Sequence, residues 1–172
     1  MAKLITIGLS KIEIGDIATD KGMGTELAVI GQTAEGSCTI ETAEPEVTEF
    51  YVEESDSPVH TALKAGLTTI TFQLAAPDLQ QCVDVFGGAI TGTGTAATWN
   101  YPGNAVNLEK SVKITPKEGI VFRIPRGKIT ARFTGQFGRA DTLKVEVSIT
   151  VLQPEKAGTP PMILSLVAGE GA

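Results

Sequence analysis

The sequence predicts a mainly β fold, sandwich- or barrel-like, with one short flanking helix, and three observations support this. Most segments alternate β-branched or aromatic residues with polar ones. Turn-forming Gly and Pro separate these segments, and only one segment has helical spacing of its apolar residues. With 172 residues, 42% hydrophobic and 20% charged, the chain has the size and composition of one globular domain.

The N-terminal region alternates from the segment LITIGLS onward. Ile5, Ile7 and Leu9 share one side of the predicted strand, and Ile12 and Ile14 extend the apolar pattern. We therefore predict a long strand that contributes to the core. Further strands of the first half are predicted at residues 26–31, 38–44, 47–54 and 67–75.

The segment APDLQQCVDVFGG predicts a helix over about residues 78–86. Asp78 is a favourable residue near a helix N-terminus, and Gly87 is a favourable residue just after a helix. The apolar positions fall at helical spacing, so the helix is expected to cover one side or end of the β structure. The predicted buried stripe consists of Leu79, Cys82, Val83 and Phe86.

Four strands are predicted in the C-terminal half, at residues 106–115, 119–125, 128–137 and 142–152. The last of them has the clearest period of two, with a polar residue between successive apolar ones. One face therefore belongs in a core, and the other face is polar. The apolar face consists of Leu143, Val145, Val147, Ile149 and Val151.

Four segments predict loops because glycine, proline or polar residues dominate them. They are residues 15–26, 53–66, 87–104 and 153–172. Long loops in a compact domain are often functional, and these are accordingly candidates for contacts with partners.

The chain ends in an apolar segment that follows the last predicted strand. Pro154 ends that strand, and we predict one β-sandwich domain over residues 1–152 with a C-terminal arm over 153–172. Leaving the apolar segment in water is unfavourable, so it either folds back on its own domain or docks on another copy. The candidate inter-subunit arm consists of Met162, Ile163, Leu164, Leu166 and Val167.

The formal net charge of −6 argues against binding nucleic acid by neutralising phosphates, which requires clustered Lys and Arg. It does not exclude a surface past which nucleic acid slides. Cys38 and Cys82 are too few and too far apart for a disulfide framework, and we expect both to be reduced. Neither a signal peptide nor a membrane-spanning run is expected from the apolar pattern.

The sequence predicts neither catalysis nor a bound cofactor or metal. His60 is the sole histidine, and no GxSxG motif accompanies it. The glycine-rich stretch GGAITGTG lacks the lysine of a phosphate-binding loop, so a hairpin or an inter-subunit loop is the preferred interpretation. We therefore expect that the protein is not an enzyme.

Acidic residues concentrate around the fourth predicted strand and the loop after it. They are interpreted as a solvated face, a face that lines a lumen, or an inter-subunit face: Glu44, Glu46, Glu49, Glu53, Glu54 and Asp56. The most basic region is a candidate complement to this acidic face, in the same chain or a neighbouring copy, or else a solvated or charge-pairing face. It comprises Arg123, Arg126, Lys128, Arg132 and Arg139.

A resemblance to a known family comes chiefly from residues 110–154. There Pro116-Lys117 leads to the strand GIVFRIP, then to the strand KITARF, a polar turn and the strand LKVEVSITVLQP. The acidic segment EFYVEESDSP, followed by TTITFQLAAPD and a short helix, adds to the pattern. This order of elements resembles the major tail tube proteins of long-tailed bacteriophages.

The resemblance implies a subunit of a virion tail that assembles, in the bacterial host cytoplasm, into hexameric rings. The rings stack into a tube whose anionic lumen lets DNA pass without specific binding. Copies of the chain itself would be the main partners, with tape-measure, tail-terminator and baseplate proteins as further ones. Two alternatives remain: the inner tube of a contractile injection or type VI-like secretion system, and a monomeric β-sandwich binding module.

Overall fold

The computed structural model describes residues 5–104, 106–138 and 142–167, which form twelve β-strands, one α-helix and a single 3-10 turn. The predicted mainly β, sandwich-like fold with one short helix is confirmed. The elements are β1 (Ile7–Gly15), β2 (Leu27–Val29), β3 (Thr39–Thr42), β4 (Glu46–Val52), β5 (Ser55–Lys64), β6 (Thr68–Leu74), α1 (Leu79–Phe86), β7 (Ala89–Thr91), β8 (Thr98–Asn100), β9 (Leu108–Glu118), β10 (Ile120–Thr134), β11 (Lys144–Val151) and β12 (Ile163–Leu166).

One antiparallel sheet forms the body, in the order β2-β1-β9-β10-β11-β6-β3, with β12 beside the first part of β10. The sheet curls, because strands near both of its ends contribute to one core. Ile12 and Ile14 of β1 belong to the same buried cluster as Ile70 and Phe72 of β6. Hydrophobic burial of these two inward faces against each other drives the curling.

The segment from β2 to residue 34 spans the gap between the two ends of the sheet. The Ile30 amide donates to the Ile12 carbonyl at 3.0 Å, on the β1 side. A few residues later, the Ala34 amide donates to the Gln73 carbonyl at 2.8 Å, on the β6 side. Gly31 lies between the two contacts with φ of +123°, a conformation that side chains with a Cβ rarely adopt.

The predicted alternation of β11 is confirmed. Val145, Val147 and Ile149 are fully buried, and Val151 is nearly so. At the start of β1, by contrast, Ile7 and the preceding Ile5 are exposed although the sequence pattern placed them with Leu9. The register of β1 against β9 shifts between residues 9 and 11, so the buried positions change phase at this β-bulge.

The two strands predicted at 119–125 and 128–137 form the single long strand β10. Its register against β9 shifts between Ile124 and Gly127, and Pro125 lies within this irregularity. The shift removes Pro125 from the regular ladder, in which a proline would leave one backbone hydrogen bond unmade because it has no N–H. The Pro125 carbonyl instead accepts a hydrogen bond from the Ser111 hydroxyl at 2.7 Å.

Helix α1 forms as predicted. The Asp78 carboxylate accepts a hydrogen bond from the Gln81 amide at 2.7 Å, and the Gln81 side chain accepts one from the Asp78 amide, which makes a capping box. Gly87, with φ of +80°, ends the helix. The predicted buried stripe is only partly right, since Val85 is buried with Cys82 and Phe86 while Leu79 is 39% exposed.

Three of the predicted loops contain strands, and the third, residues 153–172, contains β12. Residues 53–66 were predicted as a loop, which is wrong, because β5 occupies most of that segment and pairs with β4. Residues 87–104 contain the hairpin of β7 and β8, joined by the 3-10 turn. This agrees with the hairpin interpretation of the glycine-rich stretch.

Candidate assembly surfaces

The β4–β5 hairpin is exposed along almost its whole length. It continues the ladder of β3 and β6, since Thr42 lies opposite Thr68 and the Ala43 amide donates to the Leu67 carbonyl. From Glu46 and Lys64 outward, the two strands pair only with each other. Every residue of β4 is exposed, and in β5 only Ser55 is partly buried.

Both faces of this hairpin carry apolar side chains that nothing in the described chain covers. Val47 and Leu63 lie directly opposite each other and therefore point to the same face, with exposures of 54% and 73%. Phe50 lies opposite His60 on the other face, and their rings pack at a centroid distance of 5.8 Å. Tyr51, Val52 and Val59 are exposed as well.

A two-stranded hairpin without further cover is at best marginally stable in water. Contiguous exposed apolar surface of this kind is typical of an interaction site. The hairpin is therefore the candidate functional site of the chain. Sequence reasoning missed its apolar side, although the alternation of Val59, Thr61 and Leu63 is a readable strand signal.

The six acidic residues predicted as a lumen or inter-subunit face are all exposed and cluster in or beside the hairpin. Glu44 precedes β4, Glu53 and Glu54 form the turn, and Asp56 is the second residue of β5. They do not share one face, because alternation along β4 sends Glu46 and Glu49 to opposite sides. The expected acidic face is therefore an acidic hairpin with three carboxylates at its tip.

Two of these carboxylates have partners within the hairpin. Glu46 lies 3.5 Å from the Lys64 ammonium across the strands. Glu49 accepts a hydrogen bond of 2.5 Å from the Tyr51 hydroxyl, and this bond raises the pKa of Tyr51. In the described residues Glu53, Glu54 and Asp56 form no ion pair, so the charge of the tip is uncompensated.

Among the described residues, the basic region does not meet the acidic hairpin. Arg126 binds Glu109 at 2.7 Å and Glu155 at 3.3 Å, and the hydrogen bond from Arg126 lowers the pKa of Glu109. Arg132 binds Glu146 at 2.6 Å. Arg123 donates a hydrogen bond to the Ser165 hydroxyl at 2.7 Å. Lys128 is exposed, and Arg139 lies outside the described residues.

The predicted C-terminal arm lies on its own chain over residues 163–166. There β12 pairs antiparallel with residues 120–123 of β10, and the Val167 amide donates to the Gly119 carbonyl at 2.9 Å. Of the two outcomes that the sequence left open for this segment, residues 163–166 take the fold-back onto their own chain. Edge pairing explains this, because β12 covers a stretch of β10 that β11 leaves free.

The apolar side chains of the predicted arm are only partly covered. Met162 packs against the core and Ile163 is half-buried, whereas Leu164 and Leu166 are 50% and 62% exposed. Val167 is half-buried. Contact of Leu164 and Leu166 with another copy stays a prediction.

Within the described residues, no cluster of His, Cys, Asp or Glu side chains has the arrangement of a metal site. The same residues include no helix with the length and apolarity needed to cross a membrane. Both cysteines are free thiols; Cys82 is buried and Cys38 is half-buried. Burial raises the pKa of each thiol.

Comparison with known proteins gives no assignment: no protein-family model matches the chain, and no curated protein matches it significantly.

Proposed function

We propose that this protein is a structural subunit that assembles with copies of itself into stacked hexameric rings, as the tail tube of a long-tailed phage does. The observation that carries the proposal is the uncovered β4–β5 hairpin. It projects from the sheet by seven residues, or about 20 Å, and exposes apolar side chains on both faces. Contact with neighbouring copies removes this surface from water.

The exposed surface of the hairpin is large enough to support association. Its six large apolar side chains are 43% to 73% exposed, which amounts to roughly 600 Å² of apolar surface. Covering that area stabilises an assembly by about 15 kcal/mol at 25 cal/mol per Å². The cost of association is about 4–15 kcal/mol, so one hairpin gives a modest surplus that repetition around a ring reinforces.

The charge of the hairpin supports a role for the assembled tube in DNA passage. Residues 44–66 contain six of the 20 acidic residues of the chain and a single lysine, Lys64. Hairpins arranged around a central hole would concentrate these carboxylates there. Since charges act over about 8 Å at physiological salt, such a wall repels phosphates and prevents DNA from adhering. The proposed location is accordingly the virion tail.

Electron microscopy and light scattering of the purified full chain test this proposal. Hollow tubes or rings are expected above a threshold concentration. A variant in which a short Gly-Ser turn replaces residues 47–63 should keep the folded body, because the hairpin contributes no residue to the core cluster, and should not assemble. Tubes formed equally well by this variant would refute the proposed role of the hairpin.

A further inference from the structure

An open cleft lies between the two ends of the curled sheet. It has a volume of about 940 Å³ and is bounded by residues 6–11 on one side and residues 31–40 on the other. Ile70, Ile114 and Phe122 contribute to its floor. Its size is at the upper end of the range for ligand pockets, and its open shape suits a segment of chain better than an enclosed small molecule.

Both sides of the cleft end in strand edges that have no backbone partner in the part of the chain that the structure describes. The first half of β1, residues 7–11, pairs with β9 on one side, while β2 reaches only residues 12–15 on the other. Strand β3 pairs only with β6 in the described chain. Unpaired strand edges of this kind accept an additional strand through main-chain hydrogen bonds.

The lining of the cleft is apolar within and carries charged side chains at the rim. Leu9 and Phe122 are partly buried apolar side chains, and Ile40 is 46% exposed. The charged lining residues are Lys11, Lys117 and Glu35. Lys11 binds Glu13 at 3.1 Å, whereas Lys117 is exposed and has no ion pair within the described residues.

We propose that this cleft receives the tip of the β4–β5 hairpin of a second copy of the chain. The inference rests on the proposed self-assembly and identifies the surface on which the hairpin docks. The charges of the two surfaces favour this contact. The tip carries the three uncompensated carboxylates, and the rim carries Lys117, which has no ion pair among the described residues. Tyr51, Val52 and Val59 lie next to the tip and supply apolar side chains for the floor.

The hairpin also has free strand edges, which can form backbone hydrogen bonds with the free strand edges of the cleft. Beyond its root, each of its strands has one edge that pairs with no other described segment, so both chains gain main-chain hydrogen bonds when the tip enters. The contact joins two different surfaces of identical chains. Such a heterologous contact repeats from copy to copy and generates closed rings or open stacks, as the proposed function requires.

Cys38 provides a direct test because it lines the cleft. The variant Glu54→Cys places a thiol on the hairpin tip of the full chain. Oxidation of assembled protein at about pH 9, needed because burial raises the pKa of Cys38, should give a ladder of disulfide-linked chains, beginning with the dimer, on a non-reducing gel. Adding Cys38→Ser should abolish them, and Thr95→Cys, on the exposed 3-10 turn, should not produce them.

Charge reversal gives an independent readout. Lys117→Glu should raise the concentration for half-maximal assembly at least about fivefold, since an exposed pair contributes up to about 1 kcal/mol and its reversal adds repulsion. Restoration by Glu54→Lys in the same chain is expected. Lys128→Glu, the same charge change on β10 outside the cleft, is the matched control and should have a smaller effect.

The outcomes separate this inference from the proposed function. Wild-type assembly without the Cys38 dimer and without an effect of Lys117→Glu overturns the docking site and leaves self-assembly standing. A Cys38 dimer with Ser165→Cys in place of Glu54→Cys overturns it as well, because β12 would then occupy the cleft. Wild-type protein that stays monomeric at every concentration overturns both.

Discussion

Replacing Leu63 with serine should weaken assembly while leaving the monomer folded. Leu63 is 73% exposed on β5, opposite Val47, which is 54% exposed. Full burial of a leucine side chain contributes about 1.5–3 kcal/mol, and roughly three quarters of this side chain remains to be covered. The loss is therefore about 1–2 kcal/mol per contact, which lowers the association constant about tenfold.

Folding should be nearly unaffected, because a change at an exposed site usually alters the free energy of unfolding by less than about 0.5 kcal/mol. Sedimentation velocity over a concentration series measures assembly, and urea unfolding monitored by circular dichroism measures stability. Leu63→Met keeps an apolar side chain of similar volume and is the matched control. An assembly threshold unchanged by Leu63→Ser, or a loss of monomer stability as large as the loss of association, would refute the reasoning.

Three further predictions concern the body of the protein. Asp78→Ala removes the capping box of α1 and should cost about 1 kcal/mol, seen as a Tm lower by about 2–4 °C in thermal unfolding; an unchanged Tm would contradict the capping role. Because Arg126 lowers the pKa of Glu109 from its ordinary 4.5, this carboxylate stabilises the fold above about pH 4.5 and loses that effect as pH falls through the lowered value. Glu109→Gln should therefore reduce stability near neutral pH and flatten its decline in acid, and urea midpoints that fall as steeply as in the wild type would count against this. Cysteines at the paired positions Ile120 and Leu166 should form a disulfide within one chain in assembled protein, whereas a ladder of linked chains would mean that β12 is exchanged between copies.

The core strands could be predicted because apolar and polar residues alternate along them, which indicates the buried face. Val145, Val147 and Ile149 repeat at a spacing of two, and all three are buried in β11. Even the bulge in β1 has a sequence signal, since the apolar pattern passes from odd positions to Ile12 and Ile14. Alternation of this kind indicates which face of a strand is buried, and it can be read from neighbouring residues of the same strand.

The hairpin and the C-terminal strand were harder to predict because their pairing is not local. Residues 53–66 contain Pro58 and several acidic residues, which are typical of loops, yet pairing with β4 holds most of them in a strand. Pro58 is tolerated since β5 has a free edge. For β12, the apolar composition predicted that the segment would be covered, but not whether its own chain or another copy would cover it. The pairing depends on the stretch of β10 that β11 leaves free, which the local sequence does not show.

Hydrogen–deuterium exchange of the hairpin amides tests the central claim most directly. In the monomer, the outward amides of β4 and β5 have no backbone partner among the described residues and should exchange rapidly. On assembly, residues 46–64 should become strongly protected, because neighbouring copies cover both faces and the free edges. Equal exchange of these residues in dilute and concentrated protein would contradict the account.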